Sequence, residues 1–581
     1  MRGTDLRDKP MHNTEIAHLF ERYAVLLDID GANAFRVRAY RNAARTLSGL
    51  SQSVESMLVE GGDLSELPAI GKDLAHKIAE IVESGRFREL DAIEKRVPGA
   101  LADLTELPGL GPKRVKTLFT ELKIKSFDDL AKAAKTHKLS ELRGFGSKIE
   151  QAVLKAIERH VSTGKRLMLA TAEDMAAPLI AYLKETPGIG EVIIAGSFRR
   201  RRETVGDLDI LATCGRGADV IDRFIAYKDV AEIVAKGTTR STVKLRSGLQ
   251  VDLRVVARAS YGAALVYFTG SRAHNIVIRT MGVKKGLKIN EYGVFQGKTR
   301  VAGKTEKEVY AEVGLPWIEP ELREDRGEID AAKKGRLPAL VTLADIRGDL
   351  HTHSSASDGH NSIAEMAAAA KARGYAYLAI SDHTKHVTIA HGLDAKGFAR
   401  QIAGIDRLNE KLDGIRLLKS AEVDILADGK LDLPDDILKE LDFAIAAVHY
   451  KFDLDADAQT ERFIRAMDNP YVNIIAHPTG RLIGEREPCS LDMERLMRAA
   501  LERGCFLEVN AQPQRLDLDD FHCRMARELG LKLAISTDAH SAGTLDLMRF
   551  GIDQARRGWI ETDDIINTRS WRDLARLFKR S

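Results

Sequence analysis

Residues 349–359 read DLHTHSSASDG, and this stretch decides how the back half of the chain is read. His351 and His353 stand two apart at the end of a short apolar run, so on a strand both imidazoles face the same way. Asp358 follows in the loop. The same pattern recurs downstream, with His383 in ISDH, Glu422 in SAEVDI, His449 in AAVHY, His477 in IIAHP, and Asp538 with His540 in STDAH. The apolar runs fall at 349–353, 377–383, 416–425, 443–450, 472–478, 506–510 and 532–540, with helix-like segments between them. Seven strands alternating with helices predict a distorted seven-stranded (β/α) barrel over 346–581. A lone buried histidine is by default a hydrogen-bonded core residue. Nine His, Asp and Glu side chains at strand ends predict something else, because barrel chemistry gathers at the C-terminal mouth. Mixed imidazole and carboxylate ligands suit Mn2+, Zn2+ or Fe2+ better than Mg2+ alone. Nine ligands exceed what one ion takes, so Glu422 is expected to bridge and the cluster to hold up to three ions. Arg481, in HPTGRLIG, is a candidate phosphate anchor.

Net charge is only +3, but residues 1–300 carry 49 Lys and Arg against 37 Asp and Glu, while 301–581 carry 39 against 48. A basic front and an acidic back fit a nucleic-acid-binding half joined to a metal-binding half. The four cysteines, Cys214, Cys489, Cys505 and Cys523, show no paired spacing and read as incidental thiols in a reducing compartment. MRGTDLRDKPMHN lacks the apolar core of a signal peptide, and no apolar run approaches membrane-spanning length. A cytoplasmic protein without a membrane partner is expected.

Residues 14–165 read as helical, punctuated by three similar turns: Leu67-Pro68-Ala69-Ile70-Gly71-Lys72, Leu107-Pro108-Gly109-Leu110-Gly111-Pro112-Lys113 and Leu142-Arg143-Gly144-Phe145-Gly146-Ser147-Lys148. Each precedes an amphipathic helix, which makes an internal helix–hairpin–helix repeat. Such a turn offers successive backbone N–H groups at a helix N-terminus, where an anion is favoured. Gly71, Gly109, Gly111, Lys113, Gly144, Gly146 and Lys148 are therefore expected to bind the phosphates of a nucleic-acid backbone, which supplies affinity rather than sequence preference. The first copy carries Ala69 where the pattern wants glycine.

In GSFRRRRETVGDLDILAT (196–213), Asp207 and Asp209 lie two apart on a predicted strand and share a face. Strands are expected at Val192–Ala195, Leu208–Leu211 and Leu249–Val256, and the last brings Asp252 beside the pair. Three carboxylates on neighbouring strands can hold two Mg2+ ions about 4 Å apart for phosphoryl transfer. Gly196 and Ser197 form a turn able to hold phosphates, and Arg200 could take a terminal phosphate bidentately. The weakly patterned, charged residues 319–345 read as a linker.

GSFRR, GDLDI, VDLR and VYFTGSRAHNIVIR resemble the family X DNA polymerases, the family of the eukaryotic repair polymerase beta. NAFRVRAYRNAART and LPAIGKDLAHKIAEI resemble that family's lyase domain, and residues 346–581 resemble the PHP (polymerase and histidinol phosphatase) domain, with all nine ligand positions filled. The combination resembles the bacterial and archaeal form of the family. The resemblance implies a multidomain fold: a lyase-like helical domain with a helix–hairpin–helix (1–90), a helical, fingers-like DNA-binding domain (91–165), an α+β nucleotidyltransferase palm (166–260), a thumb (261–320), the linker (321–345) and an α/β PHP nuclease domain (346–581). It implies Asp207, Asp209 and Asp252 as ligands of two Mg2+ ions. It implies Gly196, Ser197, Arg200 and Gly206 at the triphosphate, Tyr267, Phe268, Gly270 and Asn275 around the sugar and base, and Arg279 toward the template. As aromatics on a strand, Tyr267 and Phe268 would otherwise be core. Lys77 aligns with the Schiff-base lysine, although Asp73 replaces a neighbouring lysine; Gln250 stands where polymerase beta has an arginine.

The expected activity is gap filling on gapped or primer-template DNA with dNTPs, by a monomer, together with metal-dependent 3′→5′ exonuclease, abasic-site endonuclease or phosphatase action in the PHP domain. A small-molecule phosphoesterase with a DNA-tethering front half, and a non-catalytic DNA scaffold, are the alternatives.

Overall fold

The computed structural model describes residues 13–50, 54–59, 61–84, 86–105, 110–136, 138, 139, 142, 145, 153, 166–215 and 217–578. The chain divides into two compact units between Arg166 and Leu167.

The first unit is helical. Helices Asn13–Asp30, Ala34–Gly49, Lys72–Ser84 and Arg88–Glu94 gather around Phe20, Tyr23, Tyr40 and Phe87, whose rings lie 4.8–5.2 Å apart in the closest pairs. Those pairs are mostly edge-to-face, as the ring quadrupoles favour. The turn before Lys72–Ser84 holds Ala69 at φ +61°. Alanine thus keeps the left-handed backbone that glycine would take freely, at a cost of about 1 kcal/mol. Gly71 is exposed at the start of that helix. Gly111 caps Pro112–Leu122, with a proline in the first turn where no N–H is needed, and Lys113 is exposed beside it. Gly109, Gly144, Gly146 and Lys148 lie outside the described residues.

The second unit opens with a five-stranded sheet in the spatial order Ile189–Ile194, Asp207–Cys214, Gln250–Val256, Arg240–Leu245, Val230–Lys236. Only the Asp207–Cys214 and Gln250–Val256 pair is parallel. Alternation sends Leu208, Ile210 and Ala212 into the core with helices Leu169–Lys184 and Gly217–Ile225. It leaves Asp207, Asp209 and Leu211 on the other face, where Leu211 packs on Ala264 and Leu265 of helix Tyr261–Thr269. VYFT is therefore helical rather than a strand: a run of Ala, Leu and Val side chains caps the sheet face beside the carboxylates. Helix Arg272–Lys284, a three-stranded antiparallel sheet over Leu287–Ala302 and helix Glu306–Glu312 complete this layer.

The linker expected at 321–345 is instead ordered. It holds helix Glu328–Lys333, and Leu322, Arg323, Glu328, Ile329 and Ala332 are buried. Its charges looked solvated because their partners are distant in sequence. Arg323 bonds Glu306, and Glu328 bonds His274.

The back half forms two parallel sheets. One runs Gly348–Asp349, Tyr377–Ile380, Arg416–Lys419; the other runs Glu422–Asp424, Ala444–Ala447, Val472–Ile475, Phe506–Asn510, Leu533–Ser536. The single run expected at 416–425 breaks at Ser420–Ala421 into the last strand of one sheet and the first of the other. Isolated parallel bridges, His383 to Glu422 and Thr352 to Ala539, join the two sheets on both sides. The result is a barrel-like ring of seven staves. Leu516 and Phe550 of this half lie in the core of the Asp207–Cys214 sheet, with Ile483 and Leu547 packed against it.

Among the described residues no helix is long and apolar enough to cross a membrane. Cys489, Cys505 and Cys523 are buried free thiols and Cys214 is half-buried.

Candidate active sites

The parallel register sets Asp209 directly opposite Asp252, with Asp207 on the same face. Asp252 is 8% exposed and accepts from Thr242 Oγ1 and from Gln250 Nε2 at 2.9 Å, while Arg240 Nη2 lies 3.4 Å from its Oδ1. Thr242 and Arg240 come from the adjacent strand, in register with Asp252 and Arg254. Sequence reading missed them because the polar edge hairpin over 230–245 carries no motif. Gln250 thus gives a neutral hydrogen bond, and the nearest cation is Arg240. Burial, then the charges of Asp207 and Asp252, push the Asp209 carboxyl up to about 7. Arg254 and Arg240 oppose the rise without cancelling it, and a divalent cation bound among the three carboxylates would relieve it.

Gly196 sits against this carboxylate at φ +63°; a Cβ there would come within 2.9 Å of Asp209 Oδ2, so only glycine fits. It opens the four-residue helical turn Gly196–Arg199, which contains Ser197, and Gly206 is exposed just ahead of Asp207. The arginine run that follows is mostly committed to protein partners. Arg199 forks onto Glu306 with two bonds of 2.8 Å. Arg200 donates to Glu324 at 3.0 Å and to the Thr269 carbonyl, beside Gly270. Arg201 pairs with Glu173 and Asp553, and only Arg202 keeps a side chain about two-fifths exposed. Tyr267, 37% exposed, and Phe268 meet edge to face at 5.0 Å, and Arg254 lies over the Phe268 ring. Asn275 Nδ2 donates to the Tyr267 carbonyl, and Arg279 is exposed on the same helix.

The second centre lies in the barrel mouth. Nitrogens of five imidazoles approach Glu422: His351 at 3.4 Å, His353 at 3.6, His383 at 2.9, His449 at 3.2 and His477 at 2.9. Asp538 meets His353 at 3.1 Å, and Asp358 meets His540 at 3.3 Å. Three overlapping groups have ligand atoms close enough to share an ion: His353, Asp358, His383 and His540; His351, His353 and Asp538; His383, Glu422 and His449. His477 joins through Glu422, so all nine expected side chains converge. Buried His351 Nε2, His353 Nδ1, His383 Nδ1, His477 Nδ1 and Glu422 Oε2 make no hydrogen bond, which is what cation ligands look like without their ion. His477 at φ +26° and Asp538 at φ +52° hold strained backbone at this mouth.

Outer partners orient the rings. His351 Nδ1 lies 2.7 Å from Glu508, and His449 Nδ1 lies 3.0 Å from Asp424, so in each case Nε2 points inward. Asp382 accepts from Ser354, Ser357 and Gln401 and so fixes the loop after His353. Glu508, Asp424 and Asp382 were not singled out from sequence, although each lies inside an apolar run that carries or adjoins a ligand. Against the pull of burial, carboxylates hold His449 and His540 up at about 9. Burial and the neighbouring His383 push His353 down to about 4.

Two expected roles meet other partners. Arg481 donates to Glu203 at 2.7 Å and to the carbonyls of Arg515 and Leu516, so its guanidinium ties the barrel to the sheet domain instead of anchoring a phosphate. The Lys77 ammonium is paired with Asp73 and lies 3.6 Å from Glu89. Burial opposes its charge, but Asp73, Tyr40 and Glu89 together raise the pKa, whereas a Schiff-base nucleophile must be neutral.

Family models match a helix–hairpin–helix domain at 11–87, a SAM-like helix–hairpin–helix tandem at 101–159, the DNA polymerase beta thumb at 264–324 and the PHP domain at 349–511. A DNA polymerase/3′-5′ exonuclease PolX of Bacillus subtilis (strain 168) is 38% identical over 575 residues, covering 98% of this chain and 100% of that protein. A probable phosphatase of Thermoanaerobacter sp. (strain X514) is 31% identical over 232 residues, 38% of this chain and 89% of its own length. One from Acetivibrio thermocellus is 35% identical over 205 residues, 33% and 78%.

Proposed function

The chain belongs to the family X DNA polymerases that carry a PHP domain, and from that premise we propose that it fills short gaps in DNA at the Asp207, Asp209 and Asp252 site and trims 3′ ends in the barrel mouth. Its substrates are gapped or primer-template DNA and dNTPs, and it acts as a cytoplasmic monomer in repair. The observation that carries this reading is the coexistence of two separate clusters of cation-ligand type: three aspartates on one sheet face, with Asp209 pushed up to about 7, and nine His, Asp and Glu side chains in the barrel mouth, several with buried atoms that make no hydrogen bond.

Two Mg2+ ions suit the all-carboxylate site, and Mn2+ or Zn2+, up to three ions, suit the imidazole-rich one. Bound ions of this kind activate an attacking oxygen and neutralise charge on the leaving oxygen. The protein's own groups do the rest. The turn at Gly196 and Ser197, with Gly206, Arg200 and Arg202, holds the triphosphate. Tyr267 and Phe268, on the helix that ends at Gly270, close against the sugar and exclude a 2′-hydroxyl, and Asn275 fixes the Tyr267 backbone. Arg279 faces the template side. The front helix–hairpin–helix turns, led by Gly71, Gly111 and Lys113, grip the DNA backbone. In the barrel, Glu508 and Asp424 keep His351 and His449 turned inward.

A one-nucleotide gap with a 5′-phosphate tests the assignment. Asp252→Asn should abolish nucleotide addition and keep 3′-end removal, and His353→Ala should do the reverse. Loss of both activities in either folded variant would refute the two-site reading. Faster turnover of a phosphate monoester than of DNA would favour the phosphatase alternative.

A further inference from the structure

We propose that the barrel domain is part of the polymerase site: Arg557 and Asp553, on its helix Met548–Arg557, are positioning residues for nucleotide binding at Arg200. The proposal rests on the nucleotide-binding reading of the palm.

Arg200 ends the phosphate turn, and its main-chain carbonyl accepts from Arg557 Nη1 at 2.8 Å. The same nitrogen reaches Glu324 Oε1 at 3.1 Å, which also accepts from Arg200 Nε at 3.0 Å. The other amine of Arg557 bonds Asp520 at 2.6 Å, and this fixes its direction. The next residue along the chain, Arg201, has φ +55° and pairs with Asp553 at 2.8 Å. Residues 553 and 557 are four apart, so one face of one barrel helix fastens Arg200 and Arg201, the two residues that follow the helical turn Gly196–Arg199. The side chain of Arg557 is 3% exposed and that of Arg200 is 12% exposed, so water screens these contacts weakly.

The charge arrangement gives the brace a functional sense. Glu324 is shared by Arg200 and Arg557, and Arg202 lies 3.8 Å away. While Arg557 occupies part of that carboxylate, Arg200 keeps positive charge for an anion. Without Arg557, Glu324 is left to Arg200 and the more distant Arg202 and draws more of the Arg200 charge, and the Arg200 carbonyl loses its tether. The effect falls on triphosphate binding. The contacts of Arg557 lead to Arg200, Glu324 and Asp520, none of which belongs to the imidazole cluster, so 3′-end removal is unaffected.

The full chain is tested as Arg557→Met, with Arg557→Lys and Asp553→Asn alongside, measuring addition of dTTP opposite adenine in a one-nucleotide gap and 3′-end removal in the same preparations. The expected result for Arg557→Met is a KM for dTTP raised about tenfold with kcat changed less than about twofold, an unchanged removal rate, and part of the KM recovered in Arg557→Lys. An unchanged KM, or parallel loss of both activities in Arg557→Met and Asp553→Asn, overturns the proposal and leaves these residues a merely structural role. A wild-type chain that removes nucleotides but adds none refutes the polymerase reading itself, and the brace with it.

Discussion

Glu306→Gln should uncouple the thumb from its acid stability. The Glu306 carboxylate takes the Arg199 fork at 2.8 Å, Arg323 Nη1 at 2.7 Å and the Trp317 indole N–H at 2.9 Å. Its side chain is 8% exposed and that of Arg323 is 0% exposed. Burial alone would push the carboxyl up, but the Arg199 hydrogen bonds and the Arg323 charge overcome it and hold the pKa at about 2, against an ordinary 4.5. At roughly 1.4 kcal/mol per unit, that gap is worth about 3 kcal/mol at neutral pH. Glutamine also strands a buried guanidinium, so the loss should fall at about 3–5 kcal/mol. The sign follows from the depressed pKa: this stability is fully present above about pH 4.5 and disappears as pH falls toward about 2. The chain has three tryptophans, and with Trp559 and Trp571 changed to Phe, the fluorescence of Trp317 reports unfolding beside the carboxylate. Urea unfolding near pH 7, 5 and 3 should show the wild type losing stability as pH falls and the variant, already weaker, losing much less. Equal slopes in the two proteins, or a variant within about 1 kcal/mol of wild type at neutral pH, would refute the reasoning.

Two further outcomes are expected. With the Asp209 carboxyl at about 7, metal binding at that site must expel a proton below neutrality, so Mg2+ affinity should fall by about fivefold from pH 7 to 6 and level off above about pH 8; isothermal titration at those pH values checks this, and a flat profile would contradict it. Glu422→Gln removes the charge shared by five imidazoles, so metal content by elemental analysis should drop by at least about one ion per chain, with 3′-end removal lost and nucleotide addition kept; unchanged metal content would show that Glu422 does not bridge.

The barrel ligands were legible because most of them lie at or just past the C-terminal end of an apolar run, where barrel chemistry gathers. The three aspartates were legible because Asp207 and Asp209 alternate onto one strand face and Asp252 lies in a further apolar strand. Their supports were less so, since Arg240 and Thr242 reach Asp252 only through strand register. What the arginines at 199–202 meet was not legible, because nothing nearby in sequence pairs with them. Three of the four turn inward to Glu306, Glu324 and Asp553, which lie 107, 124 and 352 residues away. The charged stretch at 321–345 misled for the same reason, as Arg323 and Glu328 are buried against partners 17 and 54 residues back. Local pattern reports that a side chain is charged, whereas only the tertiary fold reports what it meets. The break at Ser420–Ala421 was equally invisible, because two short strands in line look like one long run.

Leu516 and Phe550, with Ile483 and Leu547 at the rim, are barrel residues seated in the interior of the sheet domain. A seam built of such side chains is insoluble once opened. A polymerase half prepared by ending the chain near residue 320 would present an oily socket to solvent and aggregate, whereas the two halves produced together should find each other. The nuclease thus serves its neighbour as a lid over greasy surface, and the pair would be inherited, purified and engineered as one body.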